Sequence, residues 1–111
     1  MDFAAAIKIC FNKYADFTGR AKRPEFWWYT LFIFLVSIAT RIVGESAAAL
    51  VSVATLLPSL AVGARRLHDT NRSGWHQLWW LVPVVGWIIM IVFLAERGEA
   101  TDNRFGSPPA I

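Results

Sequence analysis

Apolar residues in this chain fall in long blocks, each close to the length of a bilayer crossing. No other feature narrows the fold as much. The blocks lie at about 25–43, 46–64 and 75–95. A helix needs roughly 20 residues to cross the hydrocarbon core, at about 1.5 Å of rise per residue. Neither a period of two nor a period of 3.6 organises these blocks, so each segment is apolar on all sides. Composition agrees: 17% of residues are charged, against about 25% in ordinary soluble domains. The expectation is an all-α integral membrane protein with three transmembrane helices plus a short N-terminal amphipathic interfacial helix.

The first block holds Phe26, a run at 31–36, Ile38, Ile42 and Val43. At roughly 0.3–0.6 kcal/mol each, its strongly apolar residues favour insertion by about 3–6 kcal/mol. Trp27, Trp28 and Tyr29 form an aromatic belt at its entry, and Arg41 stands near its far end, where it can snorkel and reach Glu45. The second block is weaker, worth about 2–4 kcal/mol. Its small residues Ala48, Ser52, Thr55, Ser59 and Gly63 share one face. Such a stripe lets a neighbouring backbone come close, so this helix is the predicted packing centre. Pro58 predicts a bend in it. The third block is the most hydrophobic, opens on Trp75, Trp79 and Trp80, and contains Pro83 and Gly86, which predict a kink.

Residues 1–24 read as an interfacial helix followed by a basic turn. Phe3, Ile7, Cys10, Phe11 and Tyr14 recur at three- and four-residue steps, flanked by Lys8 and Lys13. The stretch is too short to span, so it is expected to lie in the membrane interface. Residues 25–95 form the three-helix transmembrane domain and 96–111 a polar C-terminal tail, in which Phe105 reads as an interfacial anchor. No small-residue cleavage motif follows a short apolar segment, so the first block reads as an uncleaved anchor.

Orientation follows from Lys and Arg outside the spans. Lys8, Lys13, Arg20, Lys22 and Arg23 precede the first span, and Arg65, Arg66 and Arg72 occupy the second loop. In a three-span protein these eight share a side, against Arg41, Arg97 and Arg104 on the other. The N-terminus is therefore expected in the cytoplasm and the C-terminus on the periplasmic or extracellular side.

The densest polar cluster, Arg65, Arg66, His68, Asp69 and Arg72, is expected in a loop at 65–74. One reading is a structural knot in which Asp69 accepts charge-assisted hydrogen bonds from the arginines. A second builds an anionic headgroup or partner-protein site from Arg20, Lys22, Arg23, Arg65, Arg66 and Arg72. A third gives His68 and Asp69 a catalytic or proton-carrying role. Net charge is +3, and its placement beside apolar blocks points to anionic lipid rather than nucleic acid. With two histidines and one cysteine, and no CxxC, HxxxH or HExxH spacing, no metal site or other cofactor is expected. Two function classes stay open. One is a non-enzymatic membrane component that binds anionic lipid or a protein partner. The other is a small transporter or channel subunit, which with three spans would need a homo-oligomer to form a pore.

Three blocks carry a resemblance. They are Phe17-Thr18-Gly19-Arg20-Ala21-Lys22-Arg23 with Glu25-Phe26-Trp27-Trp28; Arg65-Arg66-Leu67-His68-Asp69-Thr70 with Arg72-Ser73-Gly74-Trp75; and Asn103-Arg104-Phe105-Gly106. In this order and spacing the chain resembles the domain-of-unknown-function 805 family of small bacterial inner-membrane proteins. The resemblance covers nearly the whole chain and implies location and architecture, with no molecular activity attached.

Overall fold

The computed structural model describes residues 2–108. Within them, the regular secondary structure is helical apart from one isolated bridge between Asn103 and Gly106. Helix α1 is Phe3–Asn12, α2 Arg23–Val43, α3 Glu45–Asp69 and α4 Val85–Ala95, with a 3-10 helix at Gly74–Leu81 between the last two. The final residues of the expected tail, 109–111, lie outside the described residues.

Asp2 caps α1 by accepting from the Ala5 N–H at 2.8 Å. The face anticipated from its periodicity is turned onto α2. Phe3 meets Trp28 edge-on at 5.8 Å, Phe11 meets Phe32 at 6.0 Å, and Ala6 and Cys10 are buried. Burial, reinforced by the Glu25 carboxylate, pushes the Cys10 thiol up to about 12.

Helices α2 and α3, of 21 and 25 residues, are each long and apolar enough to cross a membrane. Gly44 alone joins them, at φ 155° and ψ 164°, a region essentially reserved for glycine. The surface is inverted relative to a soluble protein. Ile42 is 82% exposed and Val53 73%, while Arg65 and Arg66 are fully buried. In water such exposed apolar area would cost about 25 cal/mol per Å², whereas lipid tails solvate it.

Pro58 inside α3 has no N–H to give the Ala54 carbonyl four residues back. The Tyr14 hydroxyl donates to that carbonyl instead, which ties the end of the N-terminal segment to mid-α3. The small-residue stripe is used along only part of its length. Gly63 is buried against Gln77 and Ser59 hydrogen-bonds Tyr29 at 3.1 Å, whereas Ser52 is exposed.

Two expected boundaries are wrong. The loop expected at 65–74 does not begin at Arg65. Helix α3 continues through Asp69, and residues 65–69 are all buried. The appearance of charge suggested the edge of the span; the charges are instead paired inside the protein, Arg65 with Glu25 and Arg66 with Asp69. The expected third span at 75–95 is not one continuous helix either. It breaks at 82–84, where Pro83 lacks an N–H and Val84 takes φ 64°. Helix α4 alone, with 11 residues, covers about 16 Å, roughly half the hydrocarbon core.

The two halves of this segment fold back on each other. Gly86 allows it, because a Cβ there would overlap the Trp79 carbonyl. From the Asp69 end of α3 the 3-10 helix runs down to the level of Leu60, whose carbonyl accepts from Gln77 at 3.1 Å. Helix α4 then returns, and its Leu94 carbonyl accepts from Arg66 at 2.9 Å. The tail consequently meets the N-terminal turn: Arg20 donates to the Thr101 carbonyl at 2.8 Å and to the Gly106 carbonyl at 3.1 Å. This contact departs from the expectation that the two lie on opposite sides of a membrane.

Candidate functional site

The three sequence blocks singled out above converge on one buried polar knot. Its members are Arg20, Glu25, Arg65, Arg66, His68 and Asp69, every one buried. The turn before α2 supplies Arg20, the first turn of α2 supplies Glu25, and the last turns of α3 supply the rest.

Asp69 is the hinge of the network. One of its oxygens accepts from Arg20 Nε at 2.9 Å and the other from an Arg66 terminal nitrogen at 3.0 Å. Arg20 uses its whole fork. Beyond the Asp69 carboxylate it reaches the carbonyls of Asp69, Glu99, Thr101 and Gly106. Five donors thus find five acceptors in two remote segments. Arg66 donates to the carbonyls of Ala21, Leu94 and Glu96. Two of these sit at the C-terminal end of α4, where unpaired carbonyls and the helix dipole concentrate negative potential. Arg65 pairs with Glu25, but its Nε and second terminal nitrogen find no hydrogen-bond partner among the described residues.

Three guanidiniums thus face two carboxylates inside the protein. Much of the balance is met by backbone carbonyls. His68 extends the knot to the tail. Its Nδ1 lies 2.9 Å from the Gly19 carbonyl, its ring stacks on Phe105 at 3.9 Å and 3°, and its own carbonyl accepts from Asn103 at 3.0 Å. Phe105 is therefore a packing partner of His68, not the interfacial anchor expected from the sequence.

The six basic residues selected as a binding surface divide. Arg20, Arg65 and Arg66 are interior and unavailable to a headgroup in this arrangement. Lys22, Arg23 and Arg72 stay at the surface. Arg72 grips Glu96 through both carboxylate oxygens, at 2.9 and 3.2 Å, and lies over the Phe93 ring at 4.1 Å. Lys22 and Arg23 instead line an open cleft of about 370 Å³ together with Arg97, Gly98, Glu99 and the edge of Asp69. Arg97 was not picked from the sequence, because the tail was expected on the other face.

The hydroxyl stripe of α3 builds no continuous polar line. Thr55 donates to the Val51 carbonyl in its own helix at 2.8 Å, and Ser59 is taken by Tyr29. Among the described residues no group of three His, Cys, Asp or Glu side chains gathers.

A family model described as "Protein of unknown function (DUF805)" matches residues 14–107, which contain every member of the knot. The chain belongs to the DUF805 family. It is 38% identical to the inner membrane protein YhaH of Escherichia coli (strain K12) over 116 aligned positions, covering 95% of each chain. It is also 38% identical to the inner membrane protein YhaI of the same strain, over 88% of this chain and 89% of that one. The uncharacterized protein YiiR matches at 34% over 68% of this chain and 53% of its own length. No solved structure matches. This DUF805 protein is thus an all-helical inner-membrane protein, and its knot is assembled from the blocks by which the family resemblance was recognised.

Proposed function

We propose that the protein is a non-enzymatic inner-membrane component that crosses the bilayer twice, through α2 and α3. The 3-10 helix and α4 form a hairpin that dips in and returns to the cytoplasmic face, and the N-terminal segment and the tail share that face. Charge supports this reading. It gathers ten of the eleven Lys and Arg on one side and leaves Arg41 alone on the other, a stronger positive-inside bias than the three-span arrangement gives. The hydrogen bonds from Arg20 to the tail support it too, since no bilayer fits between bonded groups. A cytoplasmic reporter fused after Ile111 should be active and a periplasmic one silent; the opposite pattern would restore three spans.

The cytoplasmic rim binds anionic lipid headgroups. The observation that carries this is the cleft where Lys22, Arg23 and Arg97 converge beside the end of α4. A basic side chain near an anionic surface contributes about 1 kcal/mol. Replacing all three with Gln should therefore weaken binding of phosphatidylglycerol in nanodiscs by up to about a hundredfold at low salt. Equal retention of phosphatidylglycerol and phosphatidylcholine by the parent protein would refute the lipid reading. In that case capture of a protein partner from native membranes becomes the measurement of choice.

A further inference from the structure

Between α3 and the 3-10 helix lies a second, half-open cleft of about 470 Å³, within the ordinary size range of small-ligand sites. Its lining is mainly apolar, from Phe17, Leu60, Trp75 and Leu78, with Ser73, Gln77 and His68 as its polar members. It is separate from the basic cleft on the rim and owes nothing to the lipid reading.

The chemistry of its one buried polar ring is fixed by the partner on the other side. Nδ1 of His68 is 2.9 Å from the Gly19 carbonyl. A carbonyl can only accept, so Nδ1 carries the hydrogen, and in the neutral ring Nε2 is then an acceptor with a free lone pair. His68 is 8% exposed, and no protein group among the described residues hydrogen-bonds its Nε2. Gly74 packs beside it: a Cβ there would stand 3.8 Å from Nε2, an ordinary contact distance, and 3.0 Å from the Ala64 Cβ. Stacking on Phe105 at 3° fixes the plane of the ring, and the contact of Nδ1 with the Gly19 carbonyl sets its orientation within that plane.

We infer that this cleft binds a small membrane-soluble molecule that presents one hydroxyl donor to His68 Nε2 and lays an apolar body against Phe17, Leu60 and Trp75. An acceptor-only molecule of the same shape, such as an ether or a ketone, leaves the lone pair unmet. Phenols and aliphatic alcohols share the required chemistry. The flat walls offered by Phe17 and Trp75 favour an aromatic ring.

The test compares 4-propylphenol with 4-propylanisole, which has the same shape without the O–H. The full-length protein in nanodiscs carries 15N-labelled histidine. The phenol should move the His68 Nε2 resonance saturably and bind about five- to tenfold tighter than the anisole, the worth of about one hydrogen bond. His68→Asn, whose amide can replace Nδ1 but cannot reach as Nε2 does, should abolish that difference. His68→Gln, which reaches the Nε2 position, should keep part of it. Decanol measured against its methyl ether separates the two sources: a preference for decanol with none for the phenol would support the hydroxyl site with an aliphatic ligand. Equal, non-saturating uptake of phenol and anisole by the parent protein, with no shift at His68 Nε2 and none from decanol, would overturn the inference without reference to any variant.

Discussion

Asp69→Asn tests the knot directly. The change keeps the shape and one acceptor oxygen but removes the charge that holds two guanidiniums, at 2.9 and 3.0 Å, both with fully buried side chains. Removing one member of a buried ion pair usually costs about 3–5 kcal/mol, because the other charge is left uncompensated. Arg20 and Arg66 would keep their carbonyl partners, which places the expected loss near the lower end, about 3 kcal/mol. For a domain of this size, with roughly 4–8 °C per kcal/mol, Tm should fall by at least about 12 °C. Thermal unfolding in mild detergent, followed by the near-ultraviolet signal of the tryptophans, reads it. Limited proteolysis should show the tail released first, since Arg20 binds it. Glu96→Gln is the control, since the Arg72–Glu96 pair has side chains 26% and 40% exposed and is worth at most about 1 kcal/mol. If Asp69→Asn lowers Tm no further than Glu96→Gln, the knot does not hold the fold.

Two other expectations follow from single contacts. Tyr14→Phe leaves the Ala54 carbonyl without the donor that Pro58 denies it; stability should drop by about 1–3 kcal/mol, and it should not drop in a Pro58→Ala background, where the helix supplies its own N–H. Cys10 titrates at about 12 in the fold against an ordinary 9.0, so the neutral thiol is favoured by folding. That contribution is complete below pH 9.0 and is lost as pH rises toward 12. The parent should therefore lose more Tm between pH 9 and 11 than Cys10→Ala does; parallel curves would show that the thiol is not linked to stability.

Much of this architecture was legible because lipid and water sort residues so strongly. The apolar runs gave α2 and most of α3, and the spacing of Phe3, Ile7, Cys10 and Phe11 gave α1; that Phe3 and Phe11 turn onto α2 came only with the fold. Ser73 caps the 3-10 helix by accepting from the Trp75 N–H at 3.2 Å. Hydropathy misled where two physical effects share one signature. Arg65 and Arg66 look like headgroup anchors in any window, and only the opposing Glu25 and Asp69, brought together by folding, make them interior. Residues 75–95 have the length and hydrophobicity of a span. The deciding signals were Pro83 and Gly86, which also permit a kink in a crossing helix. Which outcome prevails depends on whether Leu94 and Glu96 find Arg66, a contact no local pattern reveals. Asp69 was read as an acceptor for the arginines, and it is one; the carbonyls of Glu99, Thr101 and Gly106 could not have been named, since backbone acceptors leave no trace in side-chain sequence.

The choice of arginine inside the knot follows from the same bookkeeping of donors. Between apolar segments in lipid there is no hydrophobic drive toward association, so polar contacts and close packing must hold the elements together. A lysine at position 20 would bring the same charge to Asp69 but only three donors from one point. Arg20 spreads five around a plane and so reaches Asp69 on α3 and, in the tail, Glu99, Thr101 and Gly106 at once. Arg66 does the same for Ala21, Asp69 and the end of α4. These contacts gather at one end of the molecule, where the N-terminal turn, the foot of α2, the end of α3 and the return of α4 meet. The other end is a bare two-helix hairpin closed by Gly44, with Ile42, Val43 and Leu50 more than 70% exposed. Stability is accordingly polarised. The clasped end sets the position of both clefts, so a substitution within the knot disturbs the basic rim and the His68 pocket together. A substitution near Gly44 disturbs neither.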